Sequence, residues 1–381
     1  MDDSTRIATV HAVPTAAAEQ QTIVLTGAAG FIGLHLIRHL LAAGHAVRAI
    51  TRQPEALAAA QAAWTITPPS EALALPAGAM AQPADATMQA ATGHLAKSPA
   101  HAGSPALTIH RHPGFGPTAD WHPILAGADA VIHSAGIAHI PLDATRTSQQ
   151  RLREVNVAGV RELARAAAHC GLKQLVFLSS VKATGEWSTP GMPLREGDTP
   201  RPEDCYGLAK LAAEHHLARL ARQHPSLRIT SLRPPLIYGP GVKANFAALL
   251  TLAQSGLPLP LARLANERSF LYVGNLADAI TTVLASPDQA GGLFHLSDGP
   301  PISTPELIRA IASAAGKPAR LLPVPPPWLA KAARLAGRES IWQRLAGSLA
   351  VSNDAFCQRF DWRPPYTMQQ GLAETLKGQT P

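Results

Sequence analysis

Tyr206 and Lys210 stand four residues apart in the run Tyr206-Gly207-Leu208-Ala209-Lys210. On a helix that spacing puts both on one face. A phenol with an ordinary pKa of about 10 is a poor base at neutral pH. A nearby ammonium stabilises the phenolate, and such a tyrosine can move a proton to or from a hydroxyl while a hydride leaves or enters. Alone, the pair is common by chance and usually marks a solvated helix face. It gains weight from Ser179-Ser180, which close the apolar run Gln174 to Ser180, read as a strand. Open α/β sheets place ligands at the carboxyl ends of strands, where a serine hydroxyl can hydrogen-bond the reacting oxygen.

A second constellation is Gly27-Ala28-Ala29-Gly30-Phe31-Ile32-Gly33. It follows the β-branched run Thr22 to Thr26 and precedes a helical pattern from Phe31 to Ala43. Glycines there let the backbone turn tightly and approach a pyrophosphate, while the helix N-terminus offers N–H groups and partial positive charge. Strand, spacing and helix agree, so this reads as a dinucleotide site. At the end of the next strand, Ala46 to Ile50, an NAD binder usually carries an acid for the ribose hydroxyls. Thr51-Arg52 stand there instead. A carboxylate would repel a 2′-phosphate and an arginine can grip one, so the cofactor reads as NADP or NAD, tilted toward NADP.

Further strands are expected at Asp129–His133, Leu227–Arg233 and Leu293–Leu296, with helices from Arg151 to His169 and from Tyr206 to about Gln223. This alternation predicts an α/β chain, a doubly wound parallel sheet, with a smaller mixed C-terminal substrate domain. Residues 1–20 read as a flexible tail, 21–240 as the dinucleotide-binding core, and 241–376 mainly as the substrate domain. Residues 293–297 are expected to return to the core sheet. The Ala- and Pro-rich stretch at about 54–105 reads as a largely disordered insertion.

Composition narrows the class. The 381 residues are 46% hydrophobic and 15% charged, which excludes a disordered polyelectrolyte. The net charge of +7 is spread along the chain and no nucleic-acid motif accompanies it. Cys170, Cys205 and Cys357 lack zinc spacing and read as reduced thiols. The sixteen histidines show no His-x-x-x-His with a carboxylate, so no metal is assigned. No apolar run spans a membrane and Met1 to Gln21 does not read as a secretory signal, so a soluble cytoplasmic protein is expected. The basic stretch Trp328 to Leu349 reads as a helix pair packed in the substrate domain rather than lying on an anionic membrane.

These motifs, with His133-Ser134-Ala135-Gly136, Asn156-Val157 and Arg233-Pro234-Pro235 through Tyr238-Gly239-Pro240, resemble the extended short-chain dehydrogenase/reductase superfamily in its NAD-dependent epimerase/dehydratase branch. The likeness covers about Gln21 to Leu376 apart from the insertion, and implies a Rossmann core. The strings Leu178 to Lys182 and Arg233 to Phe246 are most similar to bacterial UDP-sugar 4-epimerases and 4-ketoreductases, including those forming UDP-N-acetylquinovosamine for surface polysaccharide. The resemblance implies Ser180, Tyr206 and Lys210 as catalytic residues. It implies Gly27, Gly30, Phe31, Ile32, Gly33, Thr51, Arg52, Ser134, Ala135, Gly136, Asn156, Tyr206, Lys210 and Pro234 as the cofactor site. For the substrate it implies Ser180, Lys182, Asn245 and Arg268, the last two directed at a nucleotide diphosphate. The chain departs from the family pattern at Thr51, Thr184 and Ala209.

The resemblance implies hydride chemistry at C4 of a UDP-hexose, with Tyr206 as acid/base, Lys210 lowering its pKa and holding the nicotinamide ribose, and Ser180 orienting the C4 oxygen. Two outcomes share that machinery: reduction of a 4-keto-6-deoxy sugar, or 4-epimerisation of UDP-glucose or UDP-N-acetylglucosamine with tightly held NAD. Thr51-Arg52 favours the reductase. Val181-Lys182 after Ser180, in place of an Asp-Glu pair, argues against dehydration. A reductase of another small carbonyl and a catalytically silent nucleotide-binding protein are the further readings, and family members are commonly homodimers.

Overall fold

A computed structural model describes residues 20–62, 106–114, 119–138 and 146–378. Seven strands form one parallel sheet: β1 (Thr22–Thr26), β2 (Ala46–Thr51), β3 (Leu107–Arg111), β4 (Ala130–His133), β5 (Gln174–Leu178), β6 (Arg228–Arg233) and β9 (Gly292–His295). Their order is β3-β2-β1-β4-β5-β6-β9. A separate parallel pair is β7 (Leu236–Tyr238) with β8 (Phe270–Tyr272). The chain turns back on itself between β1 and β4, the switch point where doubly wound sheets open a ligand crevice.

Parallel strands are covered on both faces, so their side chains are apolar on both. Ile23 and Leu25 of β1 face a cluster with Leu36, Ile37 and Leu40 of helix Phe31–Ala42 and with Ile280 and Val283 of helix Val273–Ala285. Val24, between them, faces the opposite cluster with Leu163 and Leu217, from helices Gly159–His169 and Cys205–Gln223. A third cluster lies outside the main sheet, where Tyr238, Phe246, Phe270 and Tyr272 stack with Leu307, Ile308 and Ile311 of helix Thr304–Ala314.

The expected helix from Arg151 to His169 starts earlier, at Arg146, and is broken by a π-helical turn at Glu154–Ala158, and two further elements depart from the sequence reading. The stretch expected to be largely disordered from about Pro54 begins with helix Pro54–Ala62, whose Leu57 is buried against the first cluster. Its alanine-rich pattern is only weakly amphipathic, so tertiary packing against β3 rather than periodicity stabilises it. β3 itself escapes the reading because it is an edge strand with polar His110 and Arg111. The rest of the expected insertion, 63–105, and the tail 1–19 lie outside the described residues.

Several histidines are buried in neutral form, His35, His133 and His295 among them. Burial pushes His35 down to about 4 and His133 and His295 to about 3, nearby cations adding to the effect. The unfolded chain takes up these protons near the ordinary imidazole value of about 6.5, the folded chain only well below it. Stability is therefore complete above that value and falls as pH drops from about 6.5 toward 4, by about 1.4 kcal/mol per pH unit for each histidine. Burial raises Asp298 to about 6, which works in the opposite sense and offsets one of the three. Thermal unfolding is expected to show a clear drop in midpoint from pH 7 to 5; a flat profile would contradict this burial.

Candidate active site

The cleft opens at the carboxyl ends of β1 and β4. Gly27 adopts φ +73, and a Cβ there would come within 2.7 Å of the Ala135 backbone nitrogen. Only glycine suits both demands. Gly33 lies so close to the Gly27 and Ala28 carbonyls that any side chain would force the helix away from the loop. Gly30, the N-cap of helix Phe31–Ala42, supplies no side-chain cap, so the first helical N–H groups remain available to an anion.

The loop after β4 is pinned from two sides. The Ser134 hydroxyl donates to the Thr26 carbonyl at 2.7 Å. Asn156 is buried, accepts from the Ile137 N–H at 2.8 Å and donates to the Ile137 carbonyl at 2.9 Å. It sits in the π-helical turn Glu154–Ala158, which joins helices Arg146–Arg153 and Gly159–His169. Such turns often mark functional sites because they re-aim a side chain out of the regular ladder. Ser134 and Gly136 thus join Gly27, Gly30, Phe31, Ile32 and Gly33 in a cleft of about 540 Å³. Gln53 and, from the unexpected helix that follows it, Ala56, Leu57 and Ala60 form a wall that sequence reasoning missed.

Thr51 is buried and its hydroxyl accepts from the Gln53 N–H at 3.1 Å. Arg52 is exposed beside it. An acid does stand close by: Glu55 forms an exposed ion pair with Arg111 at 2.7 Å, and Arg111 also donates to the Arg52 carbonyl. The glycine cradle, the uncapped helix end and the shaped cleft fit a dinucleotide. Those residues would hold its pyrophosphate and adenosine half.

The proton-handling groups meet at the ends of β5 and β6. Helix Cys205–Gln223 starts at Asp204, whose side chain caps it by accepting from the Gly207 N–H at 2.6 Å. That start directs Tyr206 and Lys210 toward the strand ends. Ser180 N-caps the short turn Val181–Ala183 and is hydrogen-bonded to the Tyr206 hydroxyl. The Val181 N–H donates to the Pro234 carbonyl at 3.0 Å, which ties the serine loop to β6. Lys210 is buried, its Nζ 5.8 Å from the Tyr206 ring centre.

The electrostatics differ from the sequence expectation on one point. Burial pushes the Tyr206 phenol up to about 12, outweighing the Ser180 hydrogen bond, with the Asp204 carboxylate raising it further. The Lys210 ammonium donates to the Leu178 carbonyl at 2.6 Å instead of meeting the phenol. Burial lowers Lys210 to about 8, Glu214 opposing. At neutral pH the protein alone therefore holds Tyr206 as a phenol, ready to donate a proton, beside a mostly charged Lys210.

Behind this pair runs a buried polar chain that sequence reasoning did not single out. Glu214, one helical turn past Lys210, accepts from the Ser179 hydroxyl and from Arg233 at 2.9 and 2.5 Å. Arg233 also donates to the Thr184 hydroxyl at 2.8 Å, which lies 2.8 Å from the His295 ring Nε2. One signal was legible: Glu214 falls on the helix face already carrying Lys210, where an unpaired carboxylate would be costly.

The expected substrate residues scatter. Asn245 lines the dinucleotide cleft at the exposed start of helix Ala244–Gln254. Lys182 is paired with Asp204 at 2.7 Å and Glu186 at 3.1 Å. Arg268 donates to the carbonyls of Arg344 at 2.5 Å and Gly347 at 3.3 Å, at the end of helix Glu339–Ala346. A second recess lies beside it, lined by Trp187, Glu203, Trp342, Gln343, Ala346 and Gly347.

Fold and cleft together fit a dinucleotide-binding α/β enzyme. The model of the NAD dependent epimerase/dehydratase family matches residues 23–296, and the chain belongs to that family. It is an enzyme that uses NAD or NADP. The UDP-glucose 4-epimerase of Vibrio cholerae is 40% identical over 255 residues, 66% of this chain and 77% of that protein. The N-acetyl-alpha-D-glucosaminyl-diphospho-ditrans,octacis-undecaprenol 4-epimerase of Escherichia coli O157:H7 is 27% identical over 272 residues, 66% of this chain and 78% of that protein. The solved structure of MoeE5 in complex with UDP-glucose and NAD superposes with a TM-score of 0.64 at 20% identity, covering 94% of this chain and 98% of that one, which bears on the fold alone.

Proposed function

We propose that this enzyme inverts C4 of a UDP-hexose with NAD as a resident cofactor. The observation that carries the reading is the meeting of Ser180, Tyr206 and Lys210, with the Lys210 Nζ only 3.6 Å from where a Cβ on cleft-lining Gly136 would stand. The 40% identical 4-epimerase supports it and moves the balance from reduction, favoured by the sequence, to epimerisation. NAD, when bound, supplies the hydride acceptor for C4 and a positive ring that favours the phenolate. Tyr206 moves the C4 hydroxyl proton and Ser180 orients the C4 oxygen through the hydroxyl it already shares with Tyr206. Lys210, anchored on Leu178 and 5.8 Å from the Tyr206 ring centre, serves the nicotinamide ribose and adds positive charge near the phenol. Asn245 and Lys182 address the nucleotide sugar, with Arg268 bracing the far wall. The free thiols of Cys170, Cys205 and Cys357 suit the cytoplasm.

One observation favours a second reading. Arg52 is exposed at the end of β2, where it can meet a 2′-phosphate, so an NADPH-dependent 4-ketoreductase is the alternative. Denaturing protein purified without added nucleotide and identifying what it releases separates the two. Near-stoichiometric NAD is expected. A protein that emerges empty and binds NADPH in preference would overturn the epimerase reading in favour of the reductase.

A further inference from the structure

Helices Pro326–Leu335 and Glu339–Ala346 form a hairpin that buries no side chain fully. The expected packing in the substrate domain holds for one side only: Leu329, Trp342 and Ala346 rest against the third cluster. The other side faces outward. Trp328 and Leu335, seven residues apart and hence on one helical face, are 71% and 80% exposed, and Ile341 follows on the second helix at 46%. Lys331, Arg334, Arg338 and Arg344 are exposed among them, against the single carboxylate of Glu339.

We propose that this hairpin docks the enzyme on an anionic lipid bilayer. Large apolar side chains interleaved with cations are the composition of an interfacial helix, which sinks its aromatic and aliphatic groups to the headgroup boundary while its cations meet lipid phosphates. Charge decides between occupants: a second copy meeting this face across a twofold axis would bring the same four cations together, whereas an anionic bilayer neutralises them. The platform is held rigidly to the site. Arg268 clamps the end of the second helix through the Arg344 and Gly347 carbonyls. The Trp187 ring lies so close to Gly347 that a Cβ there would meet its Cε3 at 2.7 Å. The same hairpin thus walls the recess shared with Trp187 and Glu203, which immediately precedes the cap of the Tyr206 helix. Docking would hold that recess at the membrane surface. The inference stands on the hairpin and not on which sugar is turned over.

The test is co-sedimentation of the full chain with vesicles of phosphatidylglycerol and phosphatidylcholine, against phosphatidylcholine alone. Binding to the anionic vesicles only is expected, weakened at about 0.5 M salt as screening predicts. Trp328→Ser with Leu335→Ser should bind roughly tenfold less or weaker, and Lys331→Glu with Arg334→Glu likewise. Both double variants should keep the wild-type unfolding midpoint and turnover of soluble substrate. Wild type that stays in the supernatant with anionic vesicles, or a Trp328/Leu335 variant that binds equally well, would overturn the proposal. So would a variant that loses self-association together with vesicle binding, since the face then belongs to a second copy.

Discussion

Tyr206→Phe is expected to lower kcat by roughly 10²–10⁴-fold while dinucleotide binding is kept, the usual weight of a positioned acid/base. The substitution removes one oxygen at a half-buried position and leaves the ring over the same neighbours. Ser180 keeps its capping role in the turn Val181–Ala183, and Lys210 keeps its bond to the Leu178 carbonyl. The glycine cradle at Gly27 and Gly33 is untouched, so binding measured by calorimetry or by cofactor fluorescence should change little. Loss of kcat with retained binding assigns proton movement to Tyr206. Turnover persisting in the variant would refute the assignment, and loss of both together would make Tyr206 a structural residue. The pH profile adds a check. In the protein alone the phenol stands at about 12 and Lys210 at about 8, so a basic limb that follows the lysine is expected.

Glu214→Ala is expected to be the most destabilising substitution in the vicinity of the site. It strands the Arg233 guanidinium, which is 2% exposed and has its two firmest partners in that carboxylate. It also frees the Ser179 hydroxyl in a dry environment. Removing one member of a buried pair costs about 3–5 kcal/mol, because the remaining charge keeps its desolvation penalty. Replacing both members with apolar residues, Glu214→Leu with Arg233→Met, should cost less than Glu214→Ala alone. Chemical denaturation of the three variants measures this directly. A Glu214→Ala variant within about 1 kcal/mol of wild type would show that the pair contributes little. A milder consequence reaches the chemistry: without the nearby carboxylate, Lys210 loses its one opposing influence and should titrate lower still.

Much of the site was legible because it is local. Gly27 to Gly33 lie on one turn, and Tyr206 and Lys210 on one helix, so both candidates could be read locally, the second only with Ser179-Ser180 at the preceding strand end beside it. The core strands were legible for a related reason: buried on both faces, they appear as unbroken apolar runs such as Leu175 to Leu178. The buried chain from Ser179 to His295 was not legible, because it is assembled across the sheet. Thr184 and His295 are 111 residues apart in sequence yet their side chains bond at 2.8 Å. Arg233 reads in sequence as the polar end of a strand, and only the neighbouring helix reveals Glu214 as its partner. Helix Pro54–Ala62 shows the converse case: a low-information alanine stretch became ordered because β3 and the cleft gave Leu57 somewhere to pack. The direction of the Tyr206 shift was also beyond sequence, since burial depth, not the nearness of Lys210, decides it.

The most direct measurement is a proton NMR time course of UDP-glucose, and separately UDP-N-acetylglucosamine, with purified protein and no added reductant. C4 inversion to an equilibrium mixture with the corresponding galacto sugar, abolished in Tyr206→Phe, is the predicted result. Unchanged sugars in the presence of NAD-loaded protein, together with consumption of NADPH on a 4-keto sugar, would contradict it.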